Sequence, residues 1–378
     1  MKKIFFSLAV LFLLYSFLPL HVQMGLKHTF ADVDDYRLFN SHTITKSAHP
    51  KAWSIQSDYN NKKPNRDLLD FFSDRKTCAY LVIQDGKIKY EQYWENYNPT
   101  TISGSFSMAK TVNALLIGKL VEQGKITSLE DDVKQYVPQL TNIPNGKLTI
   151  KEVLTMSANM DWDESYWNIF SLTAASYYGN DLDKLMAKLK LRNNGNTGKL
   201  FEYQSSCTQI LGYIIRNVTH KSVAENAREY LWNPLGAESD AIWSTDDHGV
   251  EKSFCCLNAT ARDFARLGQL VLQNGKWDKV QLIDSAYIAA MTTPATYLKD
   301  SKGHVCDWYG YQTWMINYKG HQIPYFRGIL GQFIFVVPDR NAVIVRLGKK
   351  IKRDPDDPKM QNDDIRNYIE AGLQILND

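Results

Sequence analysis

The chain has 378 residues and a formal net charge of +3. That length supports one large core or two intimately joined domains, and the mild, scattered charge excludes a basic nucleic-acid footprint. The eight histidines form no HxH or HxxxH pair and the five cysteines no zinc spacing, so neither a metal site nor a cofactor is expected.

Lys2 and Lys3 precede a largely apolar run from Ile4 to Leu20, the layout of an export signal. The run is slightly short for a comfortable transmembrane helix, and the nearest small-residue cleavage match, Thr29-Phe30-Ala31, lies far downstream. Residues 1–31 are therefore expected to be an export signal or an uncleaved membrane anchor. Residues 32–65 read as a loose lead-in, and residues 66–378 as the folded domain. The expected location is exported, either periplasmic or held on the inner membrane facing the periplasm. Any membrane contact is expected only through such an anchor.

The first strong structural pattern is a hairpin. Cys78–Gln84 is an apolar strand, Asp85-Gly86 a favoured two-residue turn, and Lys87–Trp94 a return strand with aromatic alternation. Gly104-Ser105-Phe106-Ser107-Met108-Ala109-Lys110 follows and opens a helix with Val112, Leu115, Leu116, Leu120 and Val121 at helical spacing; Gly124 marks its end. From Asp131 to about Ser253 the chain reads mainly helical. Helices are expected from a capping box at Thr149-Ile150-Lys151-Glu152 through Met156, then over 206–218 and 223–232. Another runs over 260–273. Strands return at 309–316, 332–337 and 342–347, and residues 363–376 close the chain as an amphipathic helix. The fold class is thus α/β of the α+β kind. One antiparallel sheet is built from both terminal portions and flanked by helices, with a mainly helical region inserted at about 131–253. Cys255-Cys256 reads as a pair of core residues rather than a vicinal bridge.

The chemistry gathers around Ser107 and Lys110. A serine three residues before a lysine on one helix puts hydroxyl and amine on the same face. Serine attacks well only when a base takes its proton, and lysine is that base only when burial keeps it neutral. The pattern alone is weak: Ser73-Asp74-Arg75-Lys76 also fits it, in a charged segment, and Ser107 by itself is equally well a first-turn helix residue. No glycine pair is spaced for a GxSxG elbow or a Walker A loop. Tyr203, in Tyr203-Gln204-Ser205 before a helix, offers a phenol for a proton relay, although alone it reads as a core tyrosine. Phe326-Arg327-Gly328-Ile329-Leu330-Gly331-Gln332 leads into an apolar strand. There a main-chain N–H could face an oxyanion, or the glycines could simply form a bulge.

In this order the three elements resemble the serine β-lactamase and penicillin-binding-protein superfamily, in its class C-like and esterase-like branch. Phe254-Cys255-Cys256-Leu257-Asn258 and Tyr309-Gly310-Tyr311-Gln312 look closest to the 6-aminohexanoate-oligomer-hydrolase-like group. The resemblance implies a β-lactamase/transpeptidase-like fold, Ser107 as acylated nucleophile, Lys110 as its base and Tyr203 as proton shuttle. It places Gly328 at the glycine of the third motif, with the Ile329 N–H as second oxyanion donor. Trp162, Glu164 and Tyr166 fall in a pocket-forming region of relatives. Two departures matter: the third motif, Phe326-Arg327-Gly328, has no lysine or histidine, leaving Arg327 as the one side chain that could substitute, and Ser205 replaces an asparagine that contacts substrate amides. The implied activity is hydrolysis of a small amide or ester, or a cell-wall peptide. The alternatives are a β-lactamase or D-alanyl-D-alanine carboxypeptidase, and a non-catalytic envelope module.

Overall fold

The computed structural model describes residues 15–352, 357 and 359–376. Most of the expected signal run lies outside them. Among the described residues thirteen strands succeed one another. Before the Ser107 helix lie β1 (Ser41–Ile44), β2 (Ser54–Ile55), β3 (Thr77–Gln84), β4 (Lys87–Tyr93) and β5 (Ile102–Gly104). β6 (Ala241–Ser244), β7 (Leu257–Thr260), β8 (Lys276–Trp277) and β9 (Val280–Gln281) follow. β10 (Trp314–Tyr318), β11 (His321–Gly328), β12 (Gln332–Val337) and β13 (Ala342–Gly348) complete the set.

Seven of them form the main sheet in the order β10-β11-β12-β13-β3-β4-β2, antiparallel except for the short β2–β4 edge pair. The expected hairpin is its N-terminal contribution. Asp85 and Gly86 both take positive φ, the mirror-image turn whose twist suits two adjacent strands, and Gln84 faces Lys87 across it. β3 then pairs with β13, so the two ends of the chain meet mid-sheet. Both faces are covered, which is why β3, β12 and β13 are almost continuously apolar. On one face helix Ala261–Leu272 lies close because Gly268 has no side chain; a Cβ there would stand 2.6 Å from Ile334 and Val343. On the other, Phe72 packs on Tyr80, whose hydroxyl donates to the Tyr368 carbonyl at 2.6 Å.

The region from 131 to 253 holds six α-helices among its described elements, the longest Ser205–Thr219, and helix Val223–Ala227 runs on into a π-turn at Arg228–Trp232. It also holds β6, which the helical reading passes over. β6 belongs to a second sheet in the order β1-β6-β7-β5. That sheet corrects the lead-in as well: residues 32–65 are not loose. β1 pairs with β6, the Val33 carbonyl receives the Gly104 N–H at 3.0 Å, and the buried Trp53 donates its indole N–H to Arg262. The strand expected over 309–316 is also shifted. Its first half is a turn, with Gln312 at φ 50°, and the strand proper is Trp314–Tyr318. Phe326–Gly328, open between bulge and strand edge from sequence, is the end of β11. Cys255 and Cys256 are joined as a vicinal disulfide, against the expectation of two free core thiols; Cys78, Cys207 and Cys306 are free and buried. Among the described residues no helix is long and apolar enough to cross a membrane.

Candidate active site

Ser107 stands where the small sheet hands over to the central helix. β5 is held by β7, and the Ser105 N–H donates to the Leu257 carbonyl at 2.7 Å. The chain then turns sharply at Phe106, a bulky residue at φ 44°. Such a conformation costs of order 1–3 kcal/mol and persists only where the surroundings enforce it. Here burial of the Phe106 ring and the helix start, with the Lys110 N–H on the Ser107 carbonyl at 3.1 Å, enforce it. Helix Met108–Glu122 is buried nearly all round, packed against helix Ser205–Thr219, β11 and β12, as expected of an apolar helix without a polar face.

Lys110, one turn after Ser107, is buried. Its amine donates to the Phe254 carbonyl at 2.8 Å and to Ser205 Oγ at 3.1 Å, and it lies 5.3 Å from the centre of the Tyr203 ring. Burial disfavours the ammonium and brings its pKa from 10.5 down to about 8, against the opposing pull of Glu164 and Cys207. At pH 7 roughly one amine in ten is then neutral, where an exposed lysine would have about one in three thousand.

The Tyr203 phenol is near enough to Ser107 to feel its hydroxyl, and burial raises its pKa so that it holds its proton at neutral pH. Gln204, bonded through its side chain to both backbone groups of Met160, pins this turn before helix Ser205–Thr219. Ser205 therefore arrives beside Lys110. Its hydroxyl donates to Glu164 Oε1 at 2.6 Å, and its N–H to Glu164 Oε2 at 2.7 Å. Trp162 and Tyr166 also donate to that carboxylate, each at 2.7 Å. Lys110, Ser205 and Glu164 thus form one connected polar chain. Only the region of Glu164, not this link, is legible in the sequence.

The third element comes in from the main sheet. Gly328 ends β11 against the Ser105 carbonyl and the Phe106 side chain, and a Cβ at Gly328 would overlap the Ser105 carbonyl oxygen. Glycine is what lets the strand edge reach the serine turn. Beyond it Ile329 and Leu330 line the same pocket as Ser107. Arg327 instead stacks on Trp314 at 5.1 Å, where its charge reaches Tyr203.

The pocket encloses about 350 Å³. Ser107, Ser205, Tyr166, Phe254, Cys255 and Ile329 line it, and so do Thr29, Phe30 and Ala31 from the N-terminal segment. A serine at a helix start, a protonated phenol, a lysine poised near neutrality and a converging strand edge are together the parts an acyl-transfer site needs.

The sequence model of the Beta-lactamase family matches residues 66–364. The chain belongs to the Beta-lactamase family. As a member it is a hydrolase, and relatives within the superfamily support the serine type. It is 26% identical over 299 residues, 74% of each chain, to the 6-aminohexanoate-dimer hydrolase of Paenarthrobacter ureafaciens. A provisionally named 6-aminohexanoate-dimer hydrolase from Bacillus anthracis has a similar fold, with TM-score 0.73 and 23% identity over 91% of this chain and 92% of that one. EstCE1, a hydrolase with promiscuous acyltransferase activity, matches with TM-score 0.61 and 15% identity over 81% of this chain and 97% of its own. The fold expected from the resemblance is the one this Beta-lactamase family member has.

Proposed function

We propose that the protein is an exported serine hydrolase that cleaves a small amide or ester through an acyl-enzyme on Ser107. The observation that carries this reading is a single cluster. Ser107 opens a buried helix on a pocket wall, the Tyr203 phenol within its electrostatic reach and Lys110 one turn on, its pKa brought down to about 8. In the reaction Ser107 Oγ bonds to the substrate carbonyl carbon, and its proton passes to the neutral Lys110 amine. Negative charge gathers on the carbonyl oxygen, within reach of the main-chain N–H groups of Ser107 and Ile329. The carbonyl re-forms as the bond to the leaving nitrogen or oxygen breaks. Tyr203 gives that atom its proton and takes one from Lys110. Water then attacks the acyl-enzyme, releasing the acid and restoring Ser107.

The substrate reading leans toward linear amides and esters. Arg327 stacks on Trp314 instead of lining the pocket as a lysine of the third motif would, and Ser205 is engaged by Glu164 and Lys110. The names of the relatives, a dimer amide hydrolase and an acyl-transferring hydrolase, point the same way. Export rests on the Lys2-Lys3 start and the apolar run to Leu20. A panel of nitrophenyl acyl esters, linear amides and nitrocefin, run on wild type and Ser107→Ala, tests the reading. Ester or amide turnover lost in the variant supports it; turnover that survives the substitution in full rejects it. Nitrocefin turnover exceeding that of esters and amides would move the substrate class to β-lactams.

A further inference from the structure

The N-terminal segment expected to be removed or to serve only as a tether is built into the catalytic pocket. Helix Leu20–His28 lies on helix Leu172–Tyr178. Val22 and Gly25 face inward, and Gly25 is close enough to Ile169 that a Cβ would stand 2.9 Å from its side chain. His28 stacks on Tyr178, and Thr29, Phe30 and Ala31 line the same pocket as Ser107. Cleavage after Ala31 would strip that lining away.

The rim at this place is apolar and open to solvent. Phe30 and Trp167, each 61% exposed, meet edge to face at 5.3 Å. Phe170, 67% exposed, follows the Ile169 that packs on Gly25, and Leu26, 52% exposed, follows Gly25 itself. Exposed aromatic and aliphatic side chains grouped around a pocket mark a surface that is covered in use. Three features name the cover. In sequence, the helix that carries Leu26 follows directly on the apolar run Ile4–Leu20. An exposed tryptophan beside phenylalanines is the composition of a bilayer interface. Lys350 lines the pocket, partly engaged by Asp74, and Lys27 is exposed beside Leu26 on the helix; cations there suit acidic headgroups.

We propose that the mouth of the Ser107 pocket rests on a phospholipid bilayer, with helix Leu20–His28 retained as its fixed wall, so that substrates bearing an apolar chain enter from the membrane surface. The substrate part rests on the serine-hydrolase reading; the docking part does not.

The test uses the full chain with vesicles of phosphatidylcholine and phosphatidylglycerol carrying a nitroxide-labelled lipid. Docking predicts quenching of tryptophan fluorescence, with a component that disappears in Trp167→Phe. Equal quenching of wild type and Trp167→Phe, or vesicle binding without quenching, means that the extreme N-terminus alone tethers the chain and overturns the proposal. So does a self-associated dimer that shields the rim and binds no vesicle. A second variant, Leu26→Ser with Phe170→Ser, changes rim residues outside the pocket lining. Hydrolysis of a vesicle-borne long-chain nitrophenyl ester should fall about tenfold in it, while a soluble short-chain ester is cleaved as before. Equal loss on both esters overturns membrane entry. A chain that hydrolyses neither ester yet shows the Trp167 quenching keeps the docking surface and removes the hydrolase reading.

Discussion

Lys110 and Glu164 are linked through the Ser205 hydroxyl, which accepts from the Lys110 amine at 3.1 Å and donates to Glu164 Oε1 at 2.6 Å. Burial pulls the lysine pKa down, and the carboxylate partly restores it. The base is thus set by two opposed effects, and each can be changed alone.

Removing the charge of Glu164 takes away a term that favours the ammonium. In Glu164→Gln the Lys110 pKa therefore drops below about 8. A base must be neutral to act, so the rising limb of kcat/KM against pH moves to lower pH. Ester hydrolysis followed from pH 5 to 10 in both proteins reads the shift; an unmoved or upward-shifted limb refutes the coupling.

Lys110→Arg keeps a cation but loses the base, because a guanidinium does not give up its proton in this range. The expected loss in kcat/KM is about 10²- to 10⁴-fold, with folding checked by circular dichroism. Activity within about threefold of wild type would mean that Ser107 is activated by another group.

Tyr203→Phe keeps the ring packed against Trp314 and removes only the hydroxyl. An amide nitrogen must be protonated to leave, whereas nitrophenolate leaves without help. Amide hydrolysis should fall about 100-fold and nitrophenyl ester hydrolysis by much less. Equal losses would argue against proton delivery by this phenol.

A second buried lysine supplies a stability test away from the site. Lys252 donates to the Ser176 and Gly179 carbonyls, and burial lowers its pKa from 10.5 to about 8. Below about pH 8 both folded and unfolded states carry the charge, and the folded state bears its full desolvation cost. Between about 8 and 10.5 only the unfolded chain holds the proton, so this group adds stability as pH rises. The unfolding free energy of wild type minus that of Lys252→Met should therefore increase by about 3 kcal/mol across that window. Urea titrations at pH 7, 8.5 and 10 measure it, and a flat difference contradicts the shift.

The elements legible in the sequence are those whose signals are local. Asp85-Gly86 fixes the β3–β4 turn, the capping box at Thr149 and Glu152 opens its helix, and the Ser107 helix declares itself by continuous apolar residues. The small sheet is illegible because its strands are only three or four residues long: β1 reads Ser-His-Thr-Ile and β7 Leu-Asn-Ala-Thr. Their pairing is decided by tertiary contact. β11 hides behind Pro324, a residue that argues against a strand with partners on both sides. Among site residues, Ser107, Lys110 and Tyr203 sit in recognisable short patterns. The tie from Glu164 to Ser205 crosses about forty residues of loop and short helix with no periodic signal, and so does the placement of Phe30 on the pocket wall.

The central claim is that the acyl group is carried by one hydroxyl. Mixing the protein with a nitrophenyl acyl ester, quenching in acid within milliseconds and digesting for mass spectrometry tests it most directly. A burst of about one nitrophenol per chain is expected, with the acyl mass on the peptide containing Ser107. An acyl mass on another residue, or steady turnover with no adduct at any quench time and full activity in Ser107→Ala, would contradict it.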